Sequence, residues 1–273
     1  MGHEAIVKLL VDGGADVNAQ GGKYGNALQA ASLVGHEAIV KLLVDGGADL
    51  NAQGKRAMFY YSYCNHEATV RLLVDVGADV NAKGGYYGNA LQAALALTDY
   101  NASVVNFLLD GGAEVNTQGG YYGNAMQTAS YYGPVSKVKL LLDKGADFTA
   151  QGGYFGNSLQ AASYGDKLEI VKMLLERGVD VNTQGGFYGN ALQAAAARGS
   201  LRIAKILLEK GADINARGGK YGSAIQAAIK QKKQDVVKLL RENGTETFII
   251  PQPTSASLSS SSRSTSWSSL LSF

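Results

Sequence analysis

The side chains that could bind a metal or perform catalysis are few in this sequence, and they recur at a fixed spacing. The histidines are His3, His36 and His66, each followed by Glu. A His-Glu-x-x-His zinc site needs a second histidine one helical turn later, but His36-Glu37 continues with Ala, Ile and Val. Cys64 is the single cysteine. The pattern therefore indicates a repeated sequence and predicts neither a metal site nor a cofactor.

The carboxylates and the glycine-rich segments also give no catalytic constellation. Aspartates such as Asp16, Asp49 and Asp213 each belong to a recurring Gly-Ala-Asp segment, so a catalytic carboxylate pair is not expected. The segment GGKYGN at 21–26 lacks the Gly-Lys-Ser/Thr ending of a phosphate-binding loop. No Gly-x-Ser-x-Gly sequence marks a nucleophilic serine. We predict that the protein is not an enzyme.

The fixed spacing is itself the most informative feature. The segment 21–53, GGKYGNALQAASLVGHEAIVKLLVDGGADLNAQ, returns with a period of about 33 residues, which predicts a solenoid of stacked units. A partial unit at 1–20 precedes the array at 21–250, and we predict that the Ser-rich tail at 251–273 is disordered. The seven copies are 21–53, the degenerate 54–83, 84–118, 119–151, 152–184, 185–217 and the C-terminal cap 218–250.

Each copy carries signals for two helices. In the first full copy, Asn26 and Gln29 form a predicted capping box, and Gly35 ends the short, alanine-rich helix that follows. A second, amphipathic helix is expected from His36 or Glu37 to Asp45. A glycine-rich loop then projects between one unit and the next. The same capping box is predicted at Asn89/Gln92, Asn124/Gln127, Asn157/Gln160, Asn190/Gln193 and Ser223/Gln226.

The segment GHEAIVKLLVDGGADVNA resembles the second half of the ankyrin motif, and the resemblance covers about residues 2–250. The first half differs, since Asn26, Ala27 and Gln29 stand where that family has Thr, Pro and His. The resemblance implies a mainly α ankyrin-repeat solenoid, in which each unit is a helix-loop-helix plus a projecting β-hairpin or turn, the finger. The GGxYGNALQAA form also resembles ankyrin arms of filamentous-fungal proteins, particularly NOD-like receptors.

Aromatic residues mark the fingers and supply the candidate binding site. In ankyrin proteins the fingers and first helices line the concave, partner-binding face. Each finger has two such positions in a row between its glycines, occupied by Tyr86 and Tyr87 in the second regular copy. The second position is always Tyr or Phe, which suggests a packing role. The first position varies, and its side chain is expected to face the partner. The alternative is that the rings only stack finger on finger. The candidates are Lys23, Tyr24, Tyr86, Tyr87, Tyr121, Tyr122, Tyr154, Phe155, Phe187, Tyr188, Lys220 and Tyr221, with Tyr131, Tyr132 and Tyr164 at the ends of first helices.

Composition limits the classes of partner. A net charge of +2 does not supply the dense positive surface that nucleic acid requires. The sequence has no apolar run of membrane-spanning length and no signal peptide, and a single cysteine favours a reducing compartment. We expect a cytoplasmic or nuclear protein whose partner is an unidentified protein or peptide. The oligomeric state does not follow from the sequence.

Three functions are compatible with this pattern. The first is a non-catalytic interaction module that binds a protein or peptide on its concave face. The second is the C-terminal sensing arm of a fungal NOD-like receptor, and the third is a substrate-recruiting adaptor of an enzyme complex. The unit at 1–20 lacks a first helix and finger, which would leave Ile6, Val7, Leu9 and Leu10 exposed. We therefore expect either that Met1 is an internal methionine of a longer polypeptide or that the chain is a short isoform.

Irregular copies predict local weaknesses. Phe59, Tyr60 and Tyr61 stand in copy 54–83 where other copies have Gln, Ala and Ala, so this copy is expected to be the weakest joint of the array. Copy 84–118 carries two extra residues around 98–101, which a surface loop absorbs readily.

Overall fold

The computed structural model describes residues 3–21, 25–50, 67–97 and 102–244. Lys23, Tyr24, the aromatic run 59–61, the insertion at 98–101 and the tail at 251–273 lie outside these residues. The described segments form helices and turns, joined in places by isolated β-bridges, as expected for a mainly α solenoid. The helices are α1 (Glu4–Asp12), α2 (Ala27–Val34), α3 (Glu37–Asp45), α4 (Glu67–Asp75), α5 (Ala90–Leu95), α6 (Ala102–Asp110), α7 (Ala125–Tyr132), α8 (Val135–Asp143), α9 (Ser158–Tyr164), α10 (Leu168–Glu176), α11 (Ala191–Arg198), α12 (Leu201–Glu209), α13 (Ala224–Lys230) and α14 (Gln234–Glu242).

The first helices begin where their capping residues predict. Asn26 accepts a hydrogen bond from the Gln29 amide at 2.8 Å and its own amide donates to Gln29 Oε1, so this capping box is confirmed. Gly35 ends α2 in the left-handed conformation. Asn89 and its counterparts in the later copies make the same first bond.

The second half of the predicted capping box was wrong for most copies. Gln92, for example, turns its Nε2 to the carbonyl of Thr117, which lies two residues before the next finger. Its Oε1 accepts no hydrogen bond within the described part of the chain. The same holds for Gln127, Gln160 and Gln193. These glutamines therefore tie the start of a first helix to the finger that follows it.

The core is a row of first helices, each packed between its neighbours and a second helix. The first helices are rich in small residues, and α11 is buried from Ala191 to Ala197. Small side chains allow the backbones of adjacent helices to approach closely, as the sequence indicates. The second helices bury one face only: in α3, Ile39, Val40 and Leu43 are buried while Glu37 and Lys41 are exposed.

Helix α1 has the same sequence as α3 but a different environment. Both read EAIVKLLVD, yet α3 packs against α2 whereas α1 has no described first helix against it. Leu9 is 72% exposed, and Ile6 and Leu10 are more than half exposed, as predicted. The prediction was wrong for Val7, which is partly buried because it packs against the core.

The segments between repeats are joined by a ladder of Asp and Asn side chains. Asp16 accepts from the amide of Asn18, and the Asn18 side chain bonds the carbonyl of Gly47 and the amide of Asp49 in the next unit. Asn81, Asn116 and Asn182 make the same pair of contacts to their following units. The recurring aspartates thus have a structural function, in agreement with the sequence.

Lys137 is a buried charge at a position that is aliphatic in most other repeats. It lies on α8 in register with Ile39 and Ile170, and its side chain is fully buried. Its Nζ donates to the carbonyls of Leu95, at 2.8 Å, and Leu97, just beyond the short helix α5. Burial, with a smaller contribution from Lys167, lowers the pKa of Lys137 to about 8. The sequence pattern did not indicate a role for this residue.

Candidate functional site

The fingers are compact turns of five residues. In 84–88 the amide of Gly84 donates to the carbonyl of Gly88 at 2.8 Å, which closes the turn with a single antiparallel bridge. The same bridge closes each later finger, at 119–123, 152–156, 185–189 and 218–222. Of the two conformations left open by the sequence, the described fingers therefore adopt the turn.

Adjacent fingers are joined through their backbones. The amide of Tyr121 donates to the carbonyl of Tyr86 at 2.7 Å, and Tyr154, Phe187 and Lys220 each donate to the preceding finger at 2.7 to 2.8 Å. These bonds run through the first aromatic position of each finger. The five fingers from 84 to 222 consequently form one hydrogen-bonded ladder along the array.

Glycine makes this close approach possible. Gly120 has a φ of +68°, and a Cβ atom there would lie 2.2 Å from the carbonyl carbon of Tyr87. Gly153 has the same relation to Tyr122, at 2.4 Å. Since real Cβ atoms do not approach backbone so closely, the second glycine of each of the four fingers from 119 to 222 is required by the preceding finger as well as by its own conformation.

The first aromatic positions form a stacked column of rings. Tyr86 and Tyr121 stack at 4.9 Å between centroids, Tyr121 and Tyr154 at 4.5 Å, and Tyr154 and Phe187 at 4.6 Å. Lys220 continues the column with its Nζ 4.7 Å from the centre of the Phe187 ring. Tyr86 is 48% exposed, and the next three rings are half-buried.

The second aromatic positions form a parallel column beneath the first. Tyr87, Tyr122, Phe155 and Tyr188 stack at 5.8 to 6.2 Å and are at most 7% exposed. Tyr221, in the last finger, is half-buried. The constancy of this position in the sequence thus reflects packing, and its burial leaves the first column as the accessible one.

Tyrosines at the ends of first helices extend the second column. Tyr131 stacks on Phe155 at 4.9 Å, and Tyr164 stacks on Tyr188 at 4.5 Å. Tyr132 shares a 2.6 Å hydrogen bond between its hydroxyl and that of Tyr122. We call the surface formed by the fingers and the ends of the first helices the finger face. It contains every described candidate residue that the sequence indicated.

A model of the ankyrin-repeat family, described as ankyrin repeats in three copies, matches residues 1–84 and 158–249, which is more than half of the chain. A second model, ankyrin repeats in many copies, matches residues 125–175. The chain belongs to the ankyrin-repeat family. A comparison with curated proteins found no match. Ankyrin repeats indicate a module for protein–protein interaction, and such modules are in general not catalytic.

In the described part of this ankyrin array, no helix is both long and apolar enough to cross a membrane. Within the same residues, His, Cys, Asp and Glu side chains form no group of three that could hold a metal ion.

Burial in the two columns of this ankyrin array affects the titration of its tyrosines. Removal from water raises the pKa of Tyr122 and Tyr188 well above the usual value, and the hydrogen bonds that these hydroxyls share with Tyr132 and Tyr164 raise it further. Burial also raises the pKa of Tyr86, Tyr121 and Tyr154. The phenols therefore remain neutral hydrogen-bond donors and acceptors throughout the physiological range.

Cations join the finger face at its C-terminal end, and sequence reasoning missed two of them. Lys230 ends the last first helix and places its Nζ 5.9 Å from the centre of the Tyr221 ring. Arg198 ends α11, and its positive charge lowers the pKa of Tyr131, against the larger effect of burial. Counting from each capping glutamine would have found Lys230, because it stands in register with Tyr131 and Tyr164.

Proposed function

We propose that this ankyrin array is a non-catalytic interaction module that binds a protein or peptide through the first aromatic column of its finger face. The observation that carries the proposal is the difference between the two columns. The second column provides the packing, whereas the first leaves Tyr86 about half exposed and continues into Lys220, which is exposed.

Physical properties of the first column favour binding. A stacked tyrosine is already fixed by its neighbours, so little side-chain entropy is lost when a partner covers it. Tyrosine also combines a large apolar surface with a polar tip, which is why it is enriched at interaction hot spots. The row crosses five described fingers, so an elongated segment of the partner could contact several rings at once.

The receptor arm and the recruiting adaptor are two settings in which the same face would be used. Both predict that a protein partner contacts the first column, so binding assays do not separate them from a free-standing module. The size of the native polypeptide separates the receptor arm from the other two. A protein close to 28.6 kDa favours a free-standing module or adaptor, and a much larger one favours the receptor arm.

The proposal is tested with peptides that the wild-type chain selects from a phage-displayed random library. Affinity of the selected peptides is compared for wild type, Tyr86→Ala, and Tyr86→Ala combined with Tyr121→Ala. The expected result is a loss of about tenfold or more for the double variant, as found for hot-spot residues. Circular dichroism and urea midpoints report whether each variant is folded.

The matched control lies on the opposite side of the repeats. Arg202 and Lys205 are exposed on the second helix α12, so Arg202→Ala combined with Lys205→Ala should leave the affinity within about twofold of wild type. If the control lost binding while the folded finger variants kept it, the proposed face would be wrong.

A further inference from the structure

The distribution of acidic residues distinguishes the finger face from the rest of the molecule. None of the 23 Asp and Glu residues of the chain lies in a finger or in a first helix of any of the six regular copies. They occur on the second helices, in the connecting segments and in the irregular parts of the chain. We propose that the finger face binds an acidic peptide segment that also carries an aromatic or large aliphatic side chain. This inference rests on the proposed function and specifies the partner.

The stacked rings themselves favour an electronegative partner. The faces of Tyr121 and Tyr154 are covered by neighbouring rings at 4.5 to 4.9 Å, so a partner meets ring edges and hydroxyl groups. The edge of an aromatic ring carries partial positive charge, and a neutral phenol can donate a hydrogen bond. Carboxylates and carbonyl oxygens of a partner would be attracted to both.

Formal positive charge strengthens this attraction at one end. Lys220 and Lys230 are exposed and hold their ammonium groups over Phe187 and Tyr221, and Arg198 is exposed at the end of α11. No carboxylate on the fingers or first helices offsets these charges. An acidic segment is therefore expected to lie towards the C-terminal end of the array, with its apolar side chain against the aromatic middle.

The same geometry disfavours single-stranded nucleic acid. Proteins bind exposed bases by stacking them on free aromatic faces. In the first column, by contrast, Tyr121, Tyr154 and Phe187 each stack on a neighbouring ring or lie beneath Lys220. These three rings thus present edges where a nucleic-acid platform presents faces.

The experiment uses the full chain and the same phage-displayed random library. Selected peptides should be enriched in Asp and Glu together with Trp, Tyr, Phe or Leu, relative to the unselected library. Lys220→Glu combined with Lys230→Glu should weaken binding of the most enriched peptide by about tenfold or more, and higher salt should weaken wild-type binding. Both lysines are exposed, so the variant is expected to remain folded.

The control is Lys205→Glu combined with Lys210→Glu, which makes the same change in net charge among exposed residues at α12 and its C-terminal end. Its affinity should stay within about twofold of wild type. If the selected peptides were neutral or basic but still required Tyr86 and Tyr121, the proposal of an acidic partner would be wrong. The proposed function would still stand. Selection of no peptide, or tighter binding of a thymidine oligonucleotide, would overturn both.

Discussion

Two single residues in this array depart from the repeat pattern at positions that face a neighbouring unit. Lys137 stands where Ile39 and Ile170 fill the core, and its ammonium group donates to carbonyls at the end of the short helix α5 and just beyond it. Thr149 stands where other units have the asparagine that bonds the next unit, and it bonds Asp147 within its own segment. Each departure predicts a measurable change in stability.

Replacement of Lys137 should remove a pH dependence of folding. Burial lowers the pKa of Lys137 to about 8 in the folded chain, below the value of about 10.4 expected in the unfolded chain. Between these values the unfolded chain binds more protons, so the free energy of unfolding rises with pH. Urea midpoints at about pH 7 and about pH 9.5 should show this rise for wild type and a smaller one for Lys137→Met. An equal rise in both proteins would contradict the assignment.

Thr149→Asn should stabilise the array. In register, the new side chain would donate to the carbonyl of Gly178 and accept from the amide of Asp180, as Asn116 does with Gly145 and Asp147. The expected gain in the free energy of unfolding is about 1 kcal/mol, measured by urea unfolding. The reverse change, Asn116→Thr, should lose a similar amount. A destabilised Thr149→Asn variant would show that this joint has a different geometry from the others.

At the scale of the element, the sequence predicts helices better than fingers, and the range of the deciding contacts explains why. The start of α2 depends on Asn26 and Gln29, which are three residues apart, and the end of that helix depends on Gly35. Such local signals are readable in one unit. The finger conformation depends instead on backbone contact between units, as between Gly120 and Tyr87, so one unit could not decide between hairpin and turn.

The candidate site was likewise predictable where it depends on the repeat pattern and not where it depends on contacts between units. The repeat pattern indicated both columns, and the constancy of the second position indicated its packing. The pattern left stacking of the rings from finger to finger open as an alternative, because stacking depends on the spacing of the fingers, and the structure shows that the first column is stacked. The partner-facing role of the first position stays a prediction.

Gly153→Ala should weaken the joint between two fingers. The added methyl group would lie 2.4 Å from the carbonyl of Tyr122, and the residue would keep a positive φ. The expected loss in the free energy of unfolding is about 2 kcal/mol or more. Gly145→Ala is the matched control, since its φ is +80° but no neighbouring atom lies within 4 Å of the added Cβ. If urea unfolding gave equal losses of free energy for the two variants, the contact between fingers would not contribute to stability.

At the scale of the whole molecule, the fingers are spaced more closely than helices can be. The rings of the first column repeat at 4.5 to 4.9 Å, which is the spacing of strands in a sheet, whereas packed helices lie about 8–10 Å apart. The ladder of fingers links the stability of five units to one set of tyrosines.

Ionisation of the buried tyrosines is expected to unfold the array at high pH. Burial raises the pKa of Tyr122 and Tyr188 in the folded chain above the value of about 10 expected after unfolding. Their contribution to stability is thus complete below about pH 10 and is lost as the pH rises further. Tyrosinate absorbance and circular dichroism should change together in one alkaline transition. Tyr122→Phe combined with Tyr188→Phe should shift that transition to higher pH, whereas ionisation of all tyrosines with the fold intact would contradict the buried columns.

Photo-crosslinking tests most directly the claim that partners bind the first aromatic column. Two proteins are made, each otherwise wild type. In one, benzoylphenylalanine replaces Tyr86, and in the other it replaces the exposed Lys139 on the second helix α8. Each protein is irradiated with the most enriched library peptide, and the adduct is mapped by mass spectrometry. We expect an adduct at position 86 and little or none at position 139. Adduct formation at position 139 alone would contradict the claim, because the partner would then lie on the second helices.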